Sequence, residues 1–277
     1  MPRAFVLGSP ISHSLSPVLH TAAYRSLGLR DWSYAAAEVD EAGFAKFMAD
    51  CGPDVAGFSL TMPLKEMGFT VAEQVSHRAE LAGAINTLVR TKTGWSADNT
   101  DILGVIRALS PDGHRTGVSL GRADLPGLVI GAGATARSAV IALRELGCHA
   151  VTVCARNRDK ARESVGELAD KLDVELTVSD LGDWTAVPAT LAVSTLPEDG
   201  ALAAVAALAA YDEADLSGLR LLDVVYADWP TPLARAAAER GADVVNGLDM
   251  LVFQAVEQVE LMTGLRPNWR VMLAAAS

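Results

Sequence analysis

The chain has 277 residues, half of them apolar, and this length is enough for two globular domains, each with its own core. Its formal net charge of −11 at pH 7 disfavours nucleic acid and membrane surfaces as partners, because both carry negative charge. Three scattered cysteines without a C-x-x-C pair, five histidines without a metal-ligand cluster, and the lack of a secretory signal predict a cytoplasmic protein without a metal site.

The first part of the chain alternates between short apolar strands and amphipathic helices, which predicts a parallel α/β sheet. Ser16 is expected to cap the first helix, with Pro17 at its first helical position and Gly28 at its end. A hairpin is expected at the edge of the sheet. The predicted elements are strand 4–7, helix 17–27, strand 34–39, helix 41–49, strand 55–60, a helix after Pro63, and hairpin strands 87–90 and 95–98.

A second α/β series follows a loop that is predicted over residues 110–126, near a domain junction. Its predicted elements are strand 128–130, helix 135–146, strand 151–155, helix 158–172, strands 176–178, 191–194, 221–225 and 244–245, and helix 248–262. We therefore expect an N-terminal α/β domain over 1–101, completed by the C-terminal helix 248–277, and a Rossmann-type, doubly wound domain over 102–247. The active site is expected in the cleft between them.

A glycine-rich segment lies between a predicted strand and a predicted helix of the second series. It reads Gly131-Ala132-Gly133-Ala134-Thr135-Ala136 and matches the dinucleotide fingerprint G-x-G-x-x-A. In that motif Gly131 permits a tight turn, Gly133 lets a pyrophosphate approach the backbone, and Ala136 lets the helix pack on the sheet. The alternative is a glycine-rich turn without a ligand, but the strand and helix on either side favour a dinucleotide site.

The residues after the next predicted strand indicate which dinucleotide is bound. An NAD enzyme normally carries an acidic residue about 20 residues past the fingerprint, where it bonds the ribose 2′-hydroxyl. Here that place is taken by Arg156, followed by Asn157, Arg158 and Lys160. The planar guanidinium of arginine can donate two hydrogen bonds to a 2′-phosphate. A merely basic helix N-terminus is the alternative, and the helix dipole disfavours it. The segment therefore predicts NADP.

Six further segments combine glycine, proline and polar residues, and none of them is specific alone. They are Ser12 to Pro17, Gly57 to Lys65, Gly83 to Thr87, Asp98 to Asp101, Thr231 to Leu233, and Asn246 to Gln254. Together with the fingerprint, and in this order, they resemble the motifs of the shikimate dehydrogenase family from about residue 5 to residue 262. The resemblance implies reversible, NADPH-dependent reduction of 3-dehydroshikimate to shikimate, a step of chorismate and aromatic amino acid biosynthesis.

The residue chemistry suits such a reaction. Ketone reduction needs a hydride and a proton; Lys65 can deliver the proton, and Asp101 can pair with Lys65 and bond a substrate hydroxyl. The alternative for each is a surface salt bridge that contributes little. A polyhydroxylated carboxylate also needs neutral hydrogen-bonding groups around it. The resemblance assigns this substrate-binding role to Ser14, Ser16, Thr61, Asn86, Tyr226 and Gln254.

The resemblance also assigns the NADP site and the remaining features of the protein. It implies that 1–101 is the substrate domain, that 102–247 binds NADP, and that the chain acts on a small molecule as a monomer or homodimer. The cofactor-binding residues so assigned are Gly131, Ala132, Gly133, Ala134, Thr135, Ala136, Arg156, Asn157, Lys160, Thr195, Val224, Gly247 and Met250.

Four residues depart from the usual family pattern and bear on adenine-ribose contacts and substrate preference. They are Ser59 and Ala155, where the family usually has asparagine, and Ala134 and Asn246, where it usually has glycine.

Alternatives remain for the roles of single residues and for the function of the whole chain. Taken alone, Ser14 and Ser16 could be helix caps, and His13 is better explained by a local structural role than by proton transfer. For the whole chain, the alternatives are a quinate or quinate/shikimate dehydrogenase that uses NAD, and a catalytically silent sensor of shikimate-type ligands. Retention of Lys65 and Asp101 argues against a sensor. Methylenetetrahydrofolate dehydrogenase shares the expected architecture, but the Ser14 to Pro17 opening fits shikimate better.

Overall fold

The computed structural model describes residues 1–110, 125–211 and 214–276, which form two compact units. The first unit comprises Met1–Gly104 and Leu251–Ser277, and the second comprises Val105–Met250. Most of the loop predicted over 110–126 lies outside the described residues. Within them, no helix is long and apolar enough to cross a membrane.

The first unit is built on one mixed sheet. Its strands are β1 Arg3–Gly8, β2 Ser33–Glu38, β3 Val55–Leu60, β4 Gln74–Val75, β5 Thr87–Arg90 and β6 Trp95–Asp98. They lie in the order β2-β1-β3-β5-β6-β4. β1 is parallel to β2 and β3, whereas β5 is antiparallel to β3 and β6. The carboxyl ends of β1, β3 and β6 and the amino end of β5 therefore meet at one edge of the sheet.

The second unit contains a fully parallel sheet. Its strands are β7 Pro126–Ile130, β8 Ala150–Ala155, β9 Glu175–Asp180, β10 Leu191–Ser194, β11 Arg220–Asp223 and β12 Asp243–Asn246. Their order is β12-β11-β10-β7-β8-β9. The chain builds outward from β7 to β9, then returns to the other side of β7 and continues to β12. This is the doubly wound arrangement that the sequence predicts, and its switch point lies between β7 and β10.

Helices connect the strands in both units, and four of them follow a residue whose side chain caps the helix. The described residues contain α1 Ser16–Ser26, α2 Glu41–Ala49, α3 His77–Ala82, α4 Asp101–Leu109, α5 Ala134–Glu145, α6 Arg158–Leu172, α7 Glu198–Ala210, α8 Pro232–Glu239, α9 Gly247–Thr263 and α10 Trp269–Ala276. Side chains of Asp40, Ser76, Asn157 and Thr231 accept a backbone N–H at the starts of α2, α3, α6 and α8.

Three local predictions for the first unit are wrong. Ser16 is the first residue of α1 and not its cap, because its N–H already donates to Ser14 Oγ at 3.3 Å and the chain enters the helix one residue earlier. The helix expected after Pro63 is only a 3₁₀ turn, Met67–Thr70, since Gly68 is a poor helix former in its middle. The hairpin β5-β6 is not at the edge, because β4 pairs with β6 beyond it.

Each unit has its own apolar core. In the first unit Phe58 and Trp95 are buried, with ring centroids 5.0 Å apart. In the second unit the buried Trp184 packs under α7 and its Nε1 donates to the backbone oxygen of Ala204 at 2.9 Å. Truncation of a buried aromatic side chain such as Phe58 lowers the free energy of unfolding by about 3–5 kcal/mol. Each ring therefore contributes strongly to the stability of its own core.

His20 is a polar residue inside the first unit. Its ring is fully buried and stacks on Tyr34, with centroids 3.8 Å apart, and Nε2 lies 3.3 Å from Gln258 Oε1. Burial lowers the pKa of His20 to about 3, because the charged imidazolium would lose its hydration. His20 is therefore neutral in the folded protein under physiological conditions.

This shift predicts a specific pH dependence of stability. Between about pH 6.5 and pH 3 the unfolded chain binds a proton that folded His20 excludes, so the free energy of unfolding falls as the pH falls. One such group contributes a slope of about 1.4 kcal/mol per pH unit. Urea unfolding across this range should show a shallower slope for His20→Gln than for wild type. The matched control is His13→Gln at an exposed histidine, and equal slopes in all three proteins would contradict the prediction.

Candidate active site

The first unit brings its predicted site residues to one edge of its sheet. Ser14 and Ser16 follow β1, Thr61 and Lys65 follow β3, Asn86 precedes β5, and Asp101 follows β6. Because the ends of these strands meet at this edge, the sheet topology accounts for the convergence of segments that are distant in sequence.

Lys65 and Asp101 form an ion pair. Lys65 Nζ lies 2.5 Å from Asp101 Oδ2, and the two side chains are 15% and 8% exposed. Asp101 is the first residue of α4, where the helix dipole stabilises a carboxylate. An ammonium group has three N–H donors, and one of them faces Asp101. The pair can therefore hold an oriented proton donor that remains within reach of solvent.

Asn86 holds the other oxygen of Asp101. Its Nδ2 donates to Asp101 Oδ1 at 2.8 Å and to Thr100 Oγ1 at 2.9 Å. Its Oδ1 accepts from the backbone N–H of Thr100 and from Thr87 Oγ1, both at 2.8 Å. These four bonds use the whole hydrogen-bonding capacity of an asparagine amide. The side chain, which is 2% exposed, thus fixes the carboxylate that pairs with Lys65.

Gln254 reaches the same cluster from helix α9. Its Oε1 lies 3.5 Å from Asn86 Nδ2 and 3.5 Å from Thr100 Oγ1, and its Nε2 donates to the backbone oxygen of Leu251 at 2.7 Å. The predicted group Lys65, Asp101, Asn86 and Gln254 is therefore brought together within the first unit. For Ser14, Ser16 and Thr61 the structure gives positions at the same edge.

The fingerprint segment of the second unit forms the turn between β7 and α5. Gly131 has φ of +120°, and its N–H donates to the backbone oxygen of Cys154 at 2.9 Å. A Cβ atom there would collide with Thr195 Oγ1, so only glycine fits. Gly133 precedes the first turn of α5 and has open space beside it, while Ala136 is fully buried against the sheet. This open, amide-rich helix start fits a pyrophosphate.

The basic segment after β8 lies at the surface. Arg156 is exposed, whereas Arg158 already pairs with Asp180 at 3.5 Å. Asn157 Oδ1 accepts the backbone N–H of Lys160 at 2.9 Å and thereby caps α6. Arg156 directly follows β8, which is next to β7 in the sheet, and the fingerprint turn follows β7, so this basic segment and the turn belong to neighbouring strand ends.

The remaining cofactor candidates follow the other strands of the same sheet. Thr195 follows β10, where its Oγ1 donates to the backbone oxygen of Ile130 at 3.2 Å. Val224 follows β11, and Gly247 begins α9 directly after β12. A side chain at Gly247 would collide with the backbone carbonyl of Val224, so glycine lets the two segments approach. Met250, one turn further along α9, is buried.

Tyr226 lies in the loop between β11 and α8. This loop is closed at its base by Asp223, whose Oδ2 accepts from Thr231 Oγ1 at 2.6 Å. Thr231 Oγ1 also accepts the backbone N–H of Ala234 at 3.0 Å. Burial raises the pKa of Asp223, against the opposing effect of its hydrogen bonds with Thr231 and Val225. Tyr226 therefore belongs to a loop whose two ends are joined by a buried hydrogen bond.

Three residues of the hydrogen-bonded cluster were not predicted as site residues: Gln258, Thr87 and Thr100. Thr87 and Thr100 stand inside two of the motifs, next to residues that were assigned. Gln258 carries a weaker signal: it lies four residues after Gln254, on the same face of a helix that is otherwise largely apolar there. Among the described residues, no group of three or more His, Cys, Asp or Glu side chains could hold a metal ion.

Two family models match the chain. The model described as a shikimate dehydrogenase substrate binding domain matches residues 6–88, and the model described as a shikimate 5′-dehydrogenase C-terminal domain matches residues 247–276. The first match covers β1 to the start of β5, which includes Lys65 and Asn86, and the second covers α9 and α10.

Relatives resemble the chain over nearly its whole length. A shikimate dehydrogenase (NADP(+)) from Methylobacterium radiotolerans is 37% identical over 96% of this chain and 93% of its own. The crystal structure of Mycobacterium tuberculosis shikimate dehydrogenase has a TM-score of 0.84 at 43% identity, covering 99% of this chain and 98% of that one. That of Thermus thermophilus shikimate 5-dehydrogenase in complex with NADP(H) and shikimate has a TM-score of 0.80 at 30% identity, covering 100% and 98%.

Other relatives are much longer. The pentafunctional AROM polypeptide of Lachancea thermotolerans is 32% identical over 99% of this chain, but the chain spans only 18% of its length.

Proposed function

The chain belongs to the shikimate dehydrogenase family, and we propose that it catalyses the reversible NADPH-dependent reduction of 3-dehydroshikimate to shikimate. The observation that carries this proposal is the Lys65–Asp101 pair, held at 2.5 Å beneath the amide of Asn86. The reaction is a step of chorismate and aromatic amino acid biosynthesis. In this proposal the first unit binds the substrate and the second binds NADP.

The catalytic residues of the first unit transfer a proton to and from the substrate oxygen. Reduction adds a hydride to the ketone carbon and a proton to its oxygen; NADPH, when bound, supplies the hydride. Lys65 gives its Nζ proton to the oxygen as negative charge develops there, and it accepts the proton in the reverse direction. Asp101 orients the ammonium group for this transfer. Because the Lys65 side chain is 15% exposed, solvent can return the proton after each turnover.

The neutral polar residues bind the substrate. We assign its carboxylate to Ser14, Ser16 and Tyr226, and its ring hydroxyls to Thr61, Asn86 and Gln254. Since protein groups engage all four positions of the Asn86 amide, a ring hydroxyl would take the place of one of these partners.

The second unit offers a site that fits NADP. The turn Gly131 to Ala136 and the first amides of α5 would bind the pyrophosphate. Exposed Arg156 would bind the 2′-phosphate, with Asn157 and Lys160 beside it. Thr195, Val224, Gly247 and Met250 complete the set of cofactor-binding residues in this proposal.

We also propose where and in what form the protein acts. The thiols of Cys51, Cys148 and Cys154 are free, and burial raises the pKa of Cys148 and of Cys154 to about 12. Thiols of this kind suit the reducing cytoplasm, where we place the activity. The expected assembly is a monomer or a homodimer, which light scattering coupled to gel filtration would distinguish.

The proposed activity is tested by nicotinamide absorbance. Purified protein mixed with shikimate and NADP should form NADPH, and parallel reactions with quinate and with NAD should be slower. Failure to reduce NADP with shikimate would overturn the proposal. Faster turnover with quinate and NAD would reassign the enzyme to quinate.

Substrate binding gives a second prediction. Ser14→Ala and Gln254→Ala each remove one hydrogen bond to a polar ligand, at a cost of about 1 kcal/mol, so the KM for shikimate should rise about fivefold in each. The KM for NADP should stay within twofold. Ser12→Ala and Gln74→Ala make the same changes at exposed positions and serve as matched controls. Wild-type KM values for shikimate in both test variants would mean that the substrate site lies elsewhere.

A further inference from the structure

Gln258 is a buried glutamine on α9, and it contacts three other parts of the first unit. Its side chain is 1% exposed. Nε2 donates to the backbone oxygen of Asn86 at 3.2 Å and to Thr87 Oγ1 at 3.1 Å. Oε1 accepts from Ser59 Oγ at 2.8 Å and lies 3.3 Å from His20 Nε2. One amide group therefore joins α9 to α1, to β3 and to the start of β5.

The neighbours of Gln258 determine which side of its amide carries the NH₂ group and which carries Oε1. The backbone oxygen of Asn86 can only accept, so the NH₂ group of Gln258 must face it and Oε1 must face Ser59 and His20. Since the Ser59 hydroxyl donates to Oε1, the hydroxyl of Tyr34 donates to Ser59, at 2.5 Å. His20 then carries its proton on Nε2. The pKa of about 3 for His20 agrees with a neutral ring in this position.

A continuous chain of hydrogen bonds leads from Gln258 to Lys65. Thr87 Oγ1 accepts a hydrogen bond from Gln258 Nε2. The hydroxyl proton of Thr87 is therefore donated to Asn86 Oδ1, 2.8 Å away. Asn86 Nδ2 in turn donates to Asp101 Oδ1 at 2.8 Å. The other oxygen of Asp101 accepts from Lys65 Nζ. Every link is buried or nearly so, and each has the donor and acceptor direction that the next link needs.

We propose that Gln258 is a positioning residue of the active site, whose amide holds the segment Asn86–Thr87 against helix α9. Held there, Asn86 keeps the carboxylate of Asp101 aligned with Lys65. Gln258 acts through Asn86 and does not touch the substrate. This proposal rests on the proposed function, because it concerns the same proton-transferring pair.

The first test removes the amide at nearly constant volume. In Gln258→Met we expect kcat/KM for shikimate to fall about tenfold, because Asn86 and Thr87 lose their common donor. The KM for NADP should stay within twofold, since the cofactor residues are assigned to the second unit. Gln74→Met makes the same chemical change at an exposed position of β4 and should behave as wild type.

The second test gives a readout that a space-filling residue would not change. In Gln258→Glu, a protonated carboxyl can donate to the Asn86 oxygen, whereas an ionised one can only accept and faces that oxygen unfavourably. Burial raises the pKa of a carboxyl group. We therefore expect near wild-type kcat/KM at low pH and a new loss of activity as the pH rises. Because His20 and Tyr34 are the titratable groups facing this amide, the profile is repeated in a His20→Gln background, where the new loss should persist.

These outcomes separate the two proposals. An inactive wild type would overturn the proposed function and this inference with it. With an active wild type, Gln258→Met within twofold of wild type, or a Gln258→Glu profile of wild-type shape, would overturn this inference alone. If Gln258→Met does not fold, Thr87→Val and Thr87→Ser decide. In Thr87→Val, kcat/KM for shikimate should fall about tenfold, as expected for Gln258→Met, whereas Thr87→Ser keeps the hydroxyl and should retain the wild-type value. Equal kcat/KM in the two Thr87 variants would overturn the inference.

Discussion

Replacement of Lys65 by methionine should lower kcat for shikimate oxidation by about 10²–10⁴-fold, the usual contribution of a positioned general acid or base. The variant keeps an unbranched side chain up to the ε position but has no ammonium group and so no proton to exchange. The KM for shikimate should change much less, because the hydroxyl and amide side chains provide most of the binding. Steady-state kinetics with shikimate and NADP measure both quantities.

The chain offers a matched control for this variant. Lys46 also lies 2.5 Å from an aspartate, Asp50, but its side chain is 81% exposed. Lys46→Met therefore breaks an ion pair of the same length where no catalytic role is proposed, and such an exposed pair contributes little to stability. We expect wild-type kcat from it. Near-normal turnover in Lys65→Met would exclude Lys65 from proton transfer.

Replacement of Arg156 by alanine should change the choice of cofactor. If its guanidinium binds the 2′-phosphate, the loss of charge-assisted hydrogen bonds should lower kcat/KM for NADP by about 10- to 100-fold. The value for NAD should stay almost unchanged, because NAD has no phosphate at that position. The measured quantity is the ratio of kcat/KM for NADP to that for NAD, in wild type and variant.

Arg162→Ala is the control for this second change. Arg162 is an exposed arginine of α6 that pairs with Asp159 at 3.4 Å, so its removal lowers the positive charge of the same helix without touching the proposed phosphate site. The NADP-to-NAD ratio should be that of wild type. An unaltered ratio in Arg156→Ala would show that another group selects the cofactor, and a wild type that prefers NAD would contradict the NADP assignment itself.

Much of the fold could be predicted from the sequence because it depends on near neighbours along the chain. Helix Arg158–Leu172 and strands Val55–Leu60 and Leu191–Ser194 begin and end as predicted, since their apolar spacing and flanking residues are local signals. The φ of +120° at Gly131 is equally local, whereas the close approach of Thr195, which follows β10, is a second requirement for glycine that only the fold creates. By contrast, α7 was missed because its alanine-rich sequence has no single apolar face.

The sequence by itself determined the α/β class, the fingerprint and the residue types that a ketone reductase needs. Only the tertiary structure decided how those residues meet. The Lys65–Asp101 distance depends on the antiparallel return of β5 and β6, and Gln258 bonds to Ser59 across 199 positions of sequence. Periodicity cannot reveal such bonds, because a hydrogen bond between distant residues depends on how the strands and α9 pack together and not on the spacing within either segment.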